Sequence, residues 1–100
     1  MSGKSGFFEM KDIQSIQAVL LRIEELLRLG EMHDWADNFK KLQIEIAIEP
    51  SFVSGVILSS YGGMGSFNDI VLHKSGVPLD DENIEFSILR SRLYELCHAV

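Results

Sequence analysis

The chain of 100 residues carries a formal net charge of −6, is 46% hydrophobic and contains one cysteine, Cys97. This length accommodates one hydrophobic core and therefore one domain, and the apolar fraction excludes a disordered polar chain. A lone cysteine excludes the disulfide framework of a small secreted domain. Because neither a signal-peptide core nor an apolar run of about 18 residues occurs, we expect a cytoplasmic protein that does not enter a membrane.

The negative charge is concentrated in the middle of the chain. Residues 42–89 contain seven acidic side chains and one basic side chain, Lys74, whereas the segments before and after are close to neutral. Nucleic-acid binding needs a positive patch that neutralises phosphates, so this distribution argues against a nucleic-acid partner. It suits a basic protein partner, although an acidic face that only keeps the domain soluble explains it equally well.

The first predicted element is an amphipathic helix that follows an N-terminal arm. We assign residues 1–11 to the arm, which we expect to be partly disordered, and residues 12–100 to a single helical domain. Asp12 is the expected N-cap of the helix and Gly30 its expected C-cap. Apolar residues recur at helical spacing between these two caps, namely Ile13, Ile16, Val19, Leu20, Ile23, Leu26 and Leu27.

A second helix is expected to begin near Asp34. Its predicted core stripe consists of Trp35, Phe39, Leu42 and Ile46. Residues 42–49 also alternate between apolar and polar, as a half-buried strand does, so a strand remains an open alternative there. We favour the helix because a strand needs a partner, and residues 70–72 are the other candidate strand.

Pro50 is expected to start a third helix that ends at Gly62, and Asp80 is expected to start the last helix. Leu79 and Ile84 have the spacing of a hydrophobic staple around the start of the last helix. The predicted core positions of these two helices are Phe52, Val53, Val56, Ile57 and Tyr61, then Phe86, Leu89, Leu93, Leu96 and Val100. The elements together predict a mainly α fold, a compact bundle of about four helices with a glycine-rich loop between the third and last long helices.

The loop Y-G-G-M-G-S-F-N-D, residues 61–69, is the most distinctive stretch of the chain. Ser66 and Asp69 have the spacing of an N-cap and its third-position partner, so a short helical turn should follow the glycines. The two large apolar residues of the loop either fold back into the bundle or anchor a partner. We favour the inward position for Phe67 and leave both open for Met64.

The residue patterns do not indicate a catalytic, cofactor-binding or metal-binding site. No lysine follows the glycines as a Walker loop requires, and no G-x-S-x-G nucleophile elbow is present. His33, His73, Cys97 and His98 lack the C-x-x-C or H-x-x-x-H spacing of metal ligands. We therefore expect a binding module that is not an enzyme and has no cofactor; the rival hypothesis is a hydrolase that uses His73 and Asp69.

The loop and its surroundings resemble a known family. The run L-S-S-Y-G-G-M-G-S-F-N-D-I-V-L, together with L-L-R-L-G-E-M-H-D-W-A-D-N-F upstream and P-L-D-D-E-N and L-R-S-R-L-Y-E-L downstream, is similar to the signature of an uncharacterised family of small bacterial helical proteins. The resemblance covers roughly residues 13–97 and implies that residues 42–49 are helical. Small acidic proteins of this type resemble immunity proteins, which neutralise bacterial toxins, and this implies a basic toxin domain as the partner.

We therefore expect the glycine-rich loop and its acidic flanks to cover the active cleft of a toxin. The alternative is a homodimeric helical adaptor or regulatory domain without a toxin partner, which would associate through Ile44, Ile48 and Ile88. The predicted partner-binding residues are Glu45, Glu49, Met64, Asn68, Asp69, Asp80 and Asp81.

Overall fold

The structure is a computed structural model that describes residues 10–62 and 65–100. The described segments form four α-helices, a 3₁₀ turn and a two-stranded hairpin. In chain order these are α1 (Met10–Leu29), α2 (His33–Ile48), α3 (Pro50–Ser59), the 3₁₀ turn (Phe67–Asp69), β1 (His73–Lys74), β2 (Val77–Pro78) and α4 (Asp80–His98). The predicted mainly α bundle with a glycine-rich loop before its last helix is confirmed.

The four helices pack as a ring around one core. α1 packs against α2 and α4, and α3 packs against the same two helices, so α2 and α4 occupy diagonal corners. α3 has only ten residues and is half the length of α1. The glycine-rich loop follows the end of α3, and it places the side chain of Phe67 against both α2 and α4.

The helical stripe of α1 and the helical assignment of residues 42–48 are both confirmed. All seven predicted apolar positions of α1 are buried. In α2, Leu42 and Ile46 are buried whereas Ile44 and Ile48 are exposed, which is the periodicity of a helix with one buried face. A strand would have turned all four side chains to the same side.

Both predicted caps of α1 need correction. The helix begins at Met10, so Asp12 lies within its first turn, where the helix dipole favours a carboxylate. At the other end, the left-handed residue is Glu31, with φ of 61°, and not Gly30. The N–H of Met32 donates to the carbonyl of Leu27 and the N–H of Glu31 to that of Arg28, a Schellman arrangement in which Gly30 comes one residue too early for the left-handed position.

Four further predictions for α3 and α4 are wrong. α3 ends at Ser59 rather than at Gly62. Phe52 and Val56, both predicted to be core positions, are 68% and 40% exposed, because only the side of α3 that carries Val53 and Ile57 faces the core. Ile84 is exposed as well, so it forms no staple with Leu79.

The hairpin between the loop and α4 pairs β1 with β2 in antiparallel orientation through a two-residue turn, Ser75 and Gly76. Ser75 and Gly76 both have positive φ, 53° and 78°, which is the geometry of the turn type that suits two twisted antiparallel strands. Within the described residues, no helix is long and apolar enough to cross a bilayer.

Candidate functional site

Phe67 of the glycine-rich loop is the centre of an aromatic cluster. Its side chain is fully buried, which confirms the predicted inward position. Four rings surround it at centroid distances between 4.8 and 5.9 Å. They belong to Trp35 and Phe39 of α2, Tyr61 at the start of the loop and Phe86 of α4. The loop is therefore attached to the bundle by a large apolar side chain that fills the space a longer α3 would occupy.

Arg90 of α4 fixes the backbone on both sides of the 3₁₀ turn. Its Nη1 donates to the carbonyl oxygens of Phe67 and Ile70, at 2.9 and 3.2 Å. The guanidinium carbon lies 4.6 Å from the ring centroid of Phe86. Burial lowers the pKa of Arg90, but an arginine remains charged at any physiological pH. Among the described residues no carboxylate forms an ion pair with it, so carbonyl dipoles and aromatic faces stabilise its charge.

Polar side chains complete the attachment of the loop. The hydroxyl of Tyr61 donates to the carbonyl of Arg90 at 2.8 Å, and burial raises the pKa of this phenol, so it stays protonated as a donor. Asn68 donates through Nδ2 to the carbonyl of Tyr61 at 2.8 Å. The carboxylate of Asp69 accepts from the N–H of Gly65 at 2.6 Å. Two predicted partner-binding residues, Asn68 and Asp69, therefore also hold the loop in shape.

The predicted capping role of Ser66 is wrong. Its hydroxyl makes no capping hydrogen bond, and it is buried without a hydrogen-bond partner among the described residues. The backbone carbonyl of Ser66 accepts from the N–H of Asp69 instead, as in a single helical turn. The carboxylate of Asp69 closes the turn one residue earlier, at Gly65, so the cap comes from the end of the turn and not from its start.

Asn83, in the first turn of α4, holds the far end of the loop. Its side-chain amide accepts from the N–H of Leu72 at 2.7 Å and donates to the carbonyl of Leu72 at 3.0 Å. These two hydrogen bonds replace those that a neighbouring strand would make with the N–H and carbonyl groups of Leu72. The side chain of Leu72 is fully buried and lies against Gly30 at the end of α1.

An open groove of about 660 Å³ lies beside the loop, between the end of α3 and the middle of α4. The loop side contributes the amide of Asn68 and the ring of Tyr61, and α4 contributes a row of polar groups with one aromatic ring. The lining residues are Leu58, Tyr61, Gly62, Asn68, Ser87, Arg90, Ser91, Tyr94 and Glu95. Since Nδ2 of Asn68 is engaged with Tyr61, its amide oxygen remains as an acceptor in a groove that Glu95 and the exposed Tyr94 also line.

The two residues of the rival hydrolase hypothesis are not among the described residues that line the groove. His73 lies in β1, with Nδ1 3.0 Å from the carbonyl of Val71, while Asp69 is engaged with Gly65. The two residues of the rival hypothesis therefore serve separate local contacts. Nor do three ligating side chains come close enough to hold a metal ion in residues 10–62 and 65–100.

The predicted partner-binding residues do not form one compact site. Asn68 and Asp69 are exposed in the loop, and Asp80 and Asp81 are exposed on the first turn of α4. The remaining pair, Glu45 and Glu49, lies at the end of α2, with Glu45 half-buried. α2 and α4 both run antiparallel to α1. The end of α2, which carries Glu45 and Glu49, and the start of α4, which carries Asp80 and Asp81, therefore lie at opposite ends of the bundle, separated by roughly 20 Å at 1.5 Å per helical residue. Met64 lies outside the described residues.

Sequence reasoning missed the contribution of α4 to the groove, although Ser87, Ser91 and Tyr94 recur at the spacing of one helical face. The homodimer hypothesis named Ile44 and Ile48, but it did not foresee the exposed apolar area that they form on the outside of α1, α2 and α3. This area comprises Leu21, Ile44, Ile48 and Phe52, and we refer to these four residues as the α2 face.

Comparison with known proteins places the chain in a family. No curated protein and no solved structure showed significant similarity to the chain. A family model described as "Domain of unknown function (DUF6966)" matches residues 28–80, from the end of α1 to the start of α4. The match covers just over half of the chain and includes the whole glycine-rich loop. The chain therefore belongs to the DUF6966 family.

Proposed function

We propose that this chain is a binding module and not an enzyme, and that the groove beside the glycine-rich loop receives a basic side chain of a protein partner. The observation that carries the proposal is the construction of the groove. Hydrogen bonds of Tyr61, Asn68 and Arg90 hold its wall in place without any ligand, and such preorganisation favours tight binding.

The chemistry of the groove suits a lysine or arginine side chain. The groove is lined by the ring of Tyr94, which is 44% exposed although it packs against Tyr61 and His98, by the amide of Asn68 and by the carboxylate of Glu95. A cation beside a tyrosine ring is stabilised by about 0.5–2 kcal/mol, and a hydrogen bond from an ionised donor to a carboxylate is stronger than a neutral one. Arg90 lines the same groove and repels a second cation, so the basic side chain enters at Glu95, about 7 Å farther along α4.

The partner class that we propose is a bacterial toxin domain with a basic cleft. Its support is the family resemblance of the loop together with the charge of the chain, since residues 42–89 contain seven acidic side chains and one basic side chain. An acidic protein that covers a basic cleft is steered toward it by long-range attraction and binds quickly. In this role the exposed carboxylates at both ends of the bundle attract the cleft, and the groove provides the specific contact.

The test uses a toxin domain encoded beside the gene for this chain. Tyr94→Ala and Glu95→Lys should each raise the dissociation constant about tenfold or more and reduce protection against the toxin. Glu31→Lys is the matched control, because it makes the same charge change on an exposed residue at the far end of α1 and should leave affinity within about threefold. Unchanged affinity in Tyr94→Ala and Glu95→Lys would place the binding site elsewhere.

The enzymatic alternative has its own test. Purified protein is screened against generic esters and nucleotides, and His73→Ala with Asp69→Asn serves as the inactive reference. We expect no turnover above the buffer rate in either protein. A wild-type turnover that is lost in the double variant would overturn the assignment as a binding module.

A further inference from the structure

The α2 face is an exposed apolar surface that is separate from the groove. Its central residues Ile44 and Ile48 are 62% and 72% exposed, and Phe52 is 68% exposed beside them. Large apolar side chains that cluster on a surface usually mark a contact with another protein. The groove beside the loop lies between α3 and α4, so the two surfaces are formed by different corners of the helix ring.

We propose that the α2 face binds a second copy of this chain, with the two α2 helices packed antiparallel around a two-fold axis. In such an isologous interface the same residues contribute from both copies, so the surface must be complementary to itself. α2 meets this requirement. Lys40 and Lys41 come before the exposed isoleucines, Glu45 lies between them, and Glu49 follows them.

The charges match when the axis passes between Ile44 and Ile48. At 1.5 Å per residue, Lys41 of one copy then lies about 7 Å from the axis, measured along the helix. Glu49 of the second copy lies about 5 Å from the axis in the same direction, because the second helix runs the opposite way. At 100° per residue, both side chains lie on the side of the isoleucine stripe that faces α3. The two charges are therefore within reach of each other across the interface, and Lys41 has no ion pair within its own chain among the described residues.

The surface relief also suits a second α2. A shallow groove between α1 and α2 is lined by the exposed isoleucines and by small residues, which allow close approach of another helix. Its lining residues are Gln17, Ala18, Leu21, Gln43, Ile44, Ala47 and Ile48. Across the axis, the protruding isoleucine of one copy can enter this groove of the other, while Phe52 closes the opposite edge of the contact.

The sequence-based homodimer hypothesis is thereby narrowed. Ile88 is 63% exposed, but it lies on α4, at the corner diagonal to α2, so it cannot join Ile44 and Ile48 in one interface. Pairing through α2 leaves both loop grooves open, and they face away from each other. The dimer would thus present two sites for partner molecules.

The oligomeric state tests this proposal with matched variants. We expect the wild-type chain to show a reversible monomer–dimer equilibrium by sedimentation equilibrium between about 5 and about 500 µM, the range of a small interface. Ile48→Glu should raise the dissociation constant of the dimer by about tenfold or more, because each dimer loses two buried isoleucines. Ile88→Glu introduces the same change at an equally exposed isoleucine outside the α2 face and should leave the dimer intact.

A charge exchange tests the antiparallel orientation. Lys41→Glu and Glu49→Lys should each weaken the dimer by placing like charges together, and the double variant should restore it to within about threefold of wild type. Circular dichroism confirms that each variant keeps its helix content. A wild-type chain that stays monomeric throughout, a dimer sensitive to Ile88→Glu but not to Ile48→Glu, or a double variant as weak as the single ones would each overturn the proposal. Binding of the toxin domain is measured separately, so a monomeric chain would leave the proposed function standing.

Discussion

Exchanging the roles of two neighbouring residues at the end of α1 tests the structure most directly. Gly30 is buried, and a Cβ atom placed on it would lie 2.8 Å from Cδ2 and 3.2 Å from Cβ of Leu72. Glu31, the next residue, has the positive φ that glycine adopts without penalty. Gly30→Ala should therefore destabilise the protein, and Glu31→Gly should stabilise it.

The magnitudes follow from the contacts. Overpacking of this kind costs about 1–3 kcal/mol, and Leu72 cannot withdraw freely, because Asn83 holds its backbone N–H and carbonyl. The lower freedom of alanine in the unfolded chain returns about 0.4–1 kcal/mol, which leaves a net loss of about 1–2 kcal/mol for Gly30→Ala. The left-handed conformation of Glu31 costs about 1–2 kcal/mol, and Glu31→Gly removes this cost. Because the removed cost exceeds the entropy penalty of glycine, the free energy of unfolding should rise by about 0.5–1 kcal/mol.

Urea unfolding followed by circular dichroism measures both changes, and thermal unfolding provides a second reading. For a domain of this size the midpoint should fall by about 5–12 °C in Gly30→Ala and rise by about 2–6 °C in Glu31→Gly. If Glu31→Gly destabilised the protein, Glu31 would not be the left-handed residue, and if Gly30→Ala were neutral or stabilising, the close contact of Gly30 with Leu72 would be absent. The geometry described for the end of α1 would then be wrong.

Three further predictions concern the core and the surface ion pair. Phe67→Ala should lower the free energy of unfolding by about 3–5 kcal/mol in urea titration, and a loss below about 1 kcal/mol would contradict the central position of its ring. Burial raises the pKa of the Cys97 thiol to about 11, so a disulfide reagent at neutral pH should label it far more slowly in the native than in the urea-unfolded protein; equal rates would show that it is accessible. Arg22 donates to Glu85 at 2.7 and 2.9 Å and lowers the pKa of that carboxyl below its ordinary 4.5. The pair therefore stabilises the fold above pH 4.5, and this stabilisation is lost as the pH falls through the lowered pKa. The small stability difference between wild type and Arg22→Gln should therefore shrink below about pH 4.5, and a difference independent of pH would refute this assignment.

Regular packing made most of the fold predictable. α1 has an unbroken apolar stripe, and every position predicted to be buried is buried, because the helix contacts other helices along its length. Residues 42–48 were ambiguous because a local alternation fits a strand as well as a helix. Only the contacts of Leu42 and Ile46 with the rest of the bundle distinguish the helix from the strand.

The candidate site was less predictable, because its contacts join residues far apart in the chain. Arg90 donates to carbonyls 20 and 23 residues before it, and no local pattern distinguishes it from Arg92. Phe52 was predicted to be buried because apolar residues usually are, but a short helix has room for few core positions. Pattern rules describe one helix at a time and do not show which of its faces a neighbour covers.

The manner in which α4 holds the glycine-rich loop has a consequence for its dynamics. The loop is tied near its start to Arg90, through the hydroxyl of Tyr61, and at its end to Asn83. These two residues lie two turns apart on one helix, about 10 Å along its axis. The loop and α4 should therefore open and close together as one cooperative unit, and amides such as those of Phe67 and Leu72 should exchange with solvent at rates set by α4 rather than at the fast rates of an ordinary surface loop.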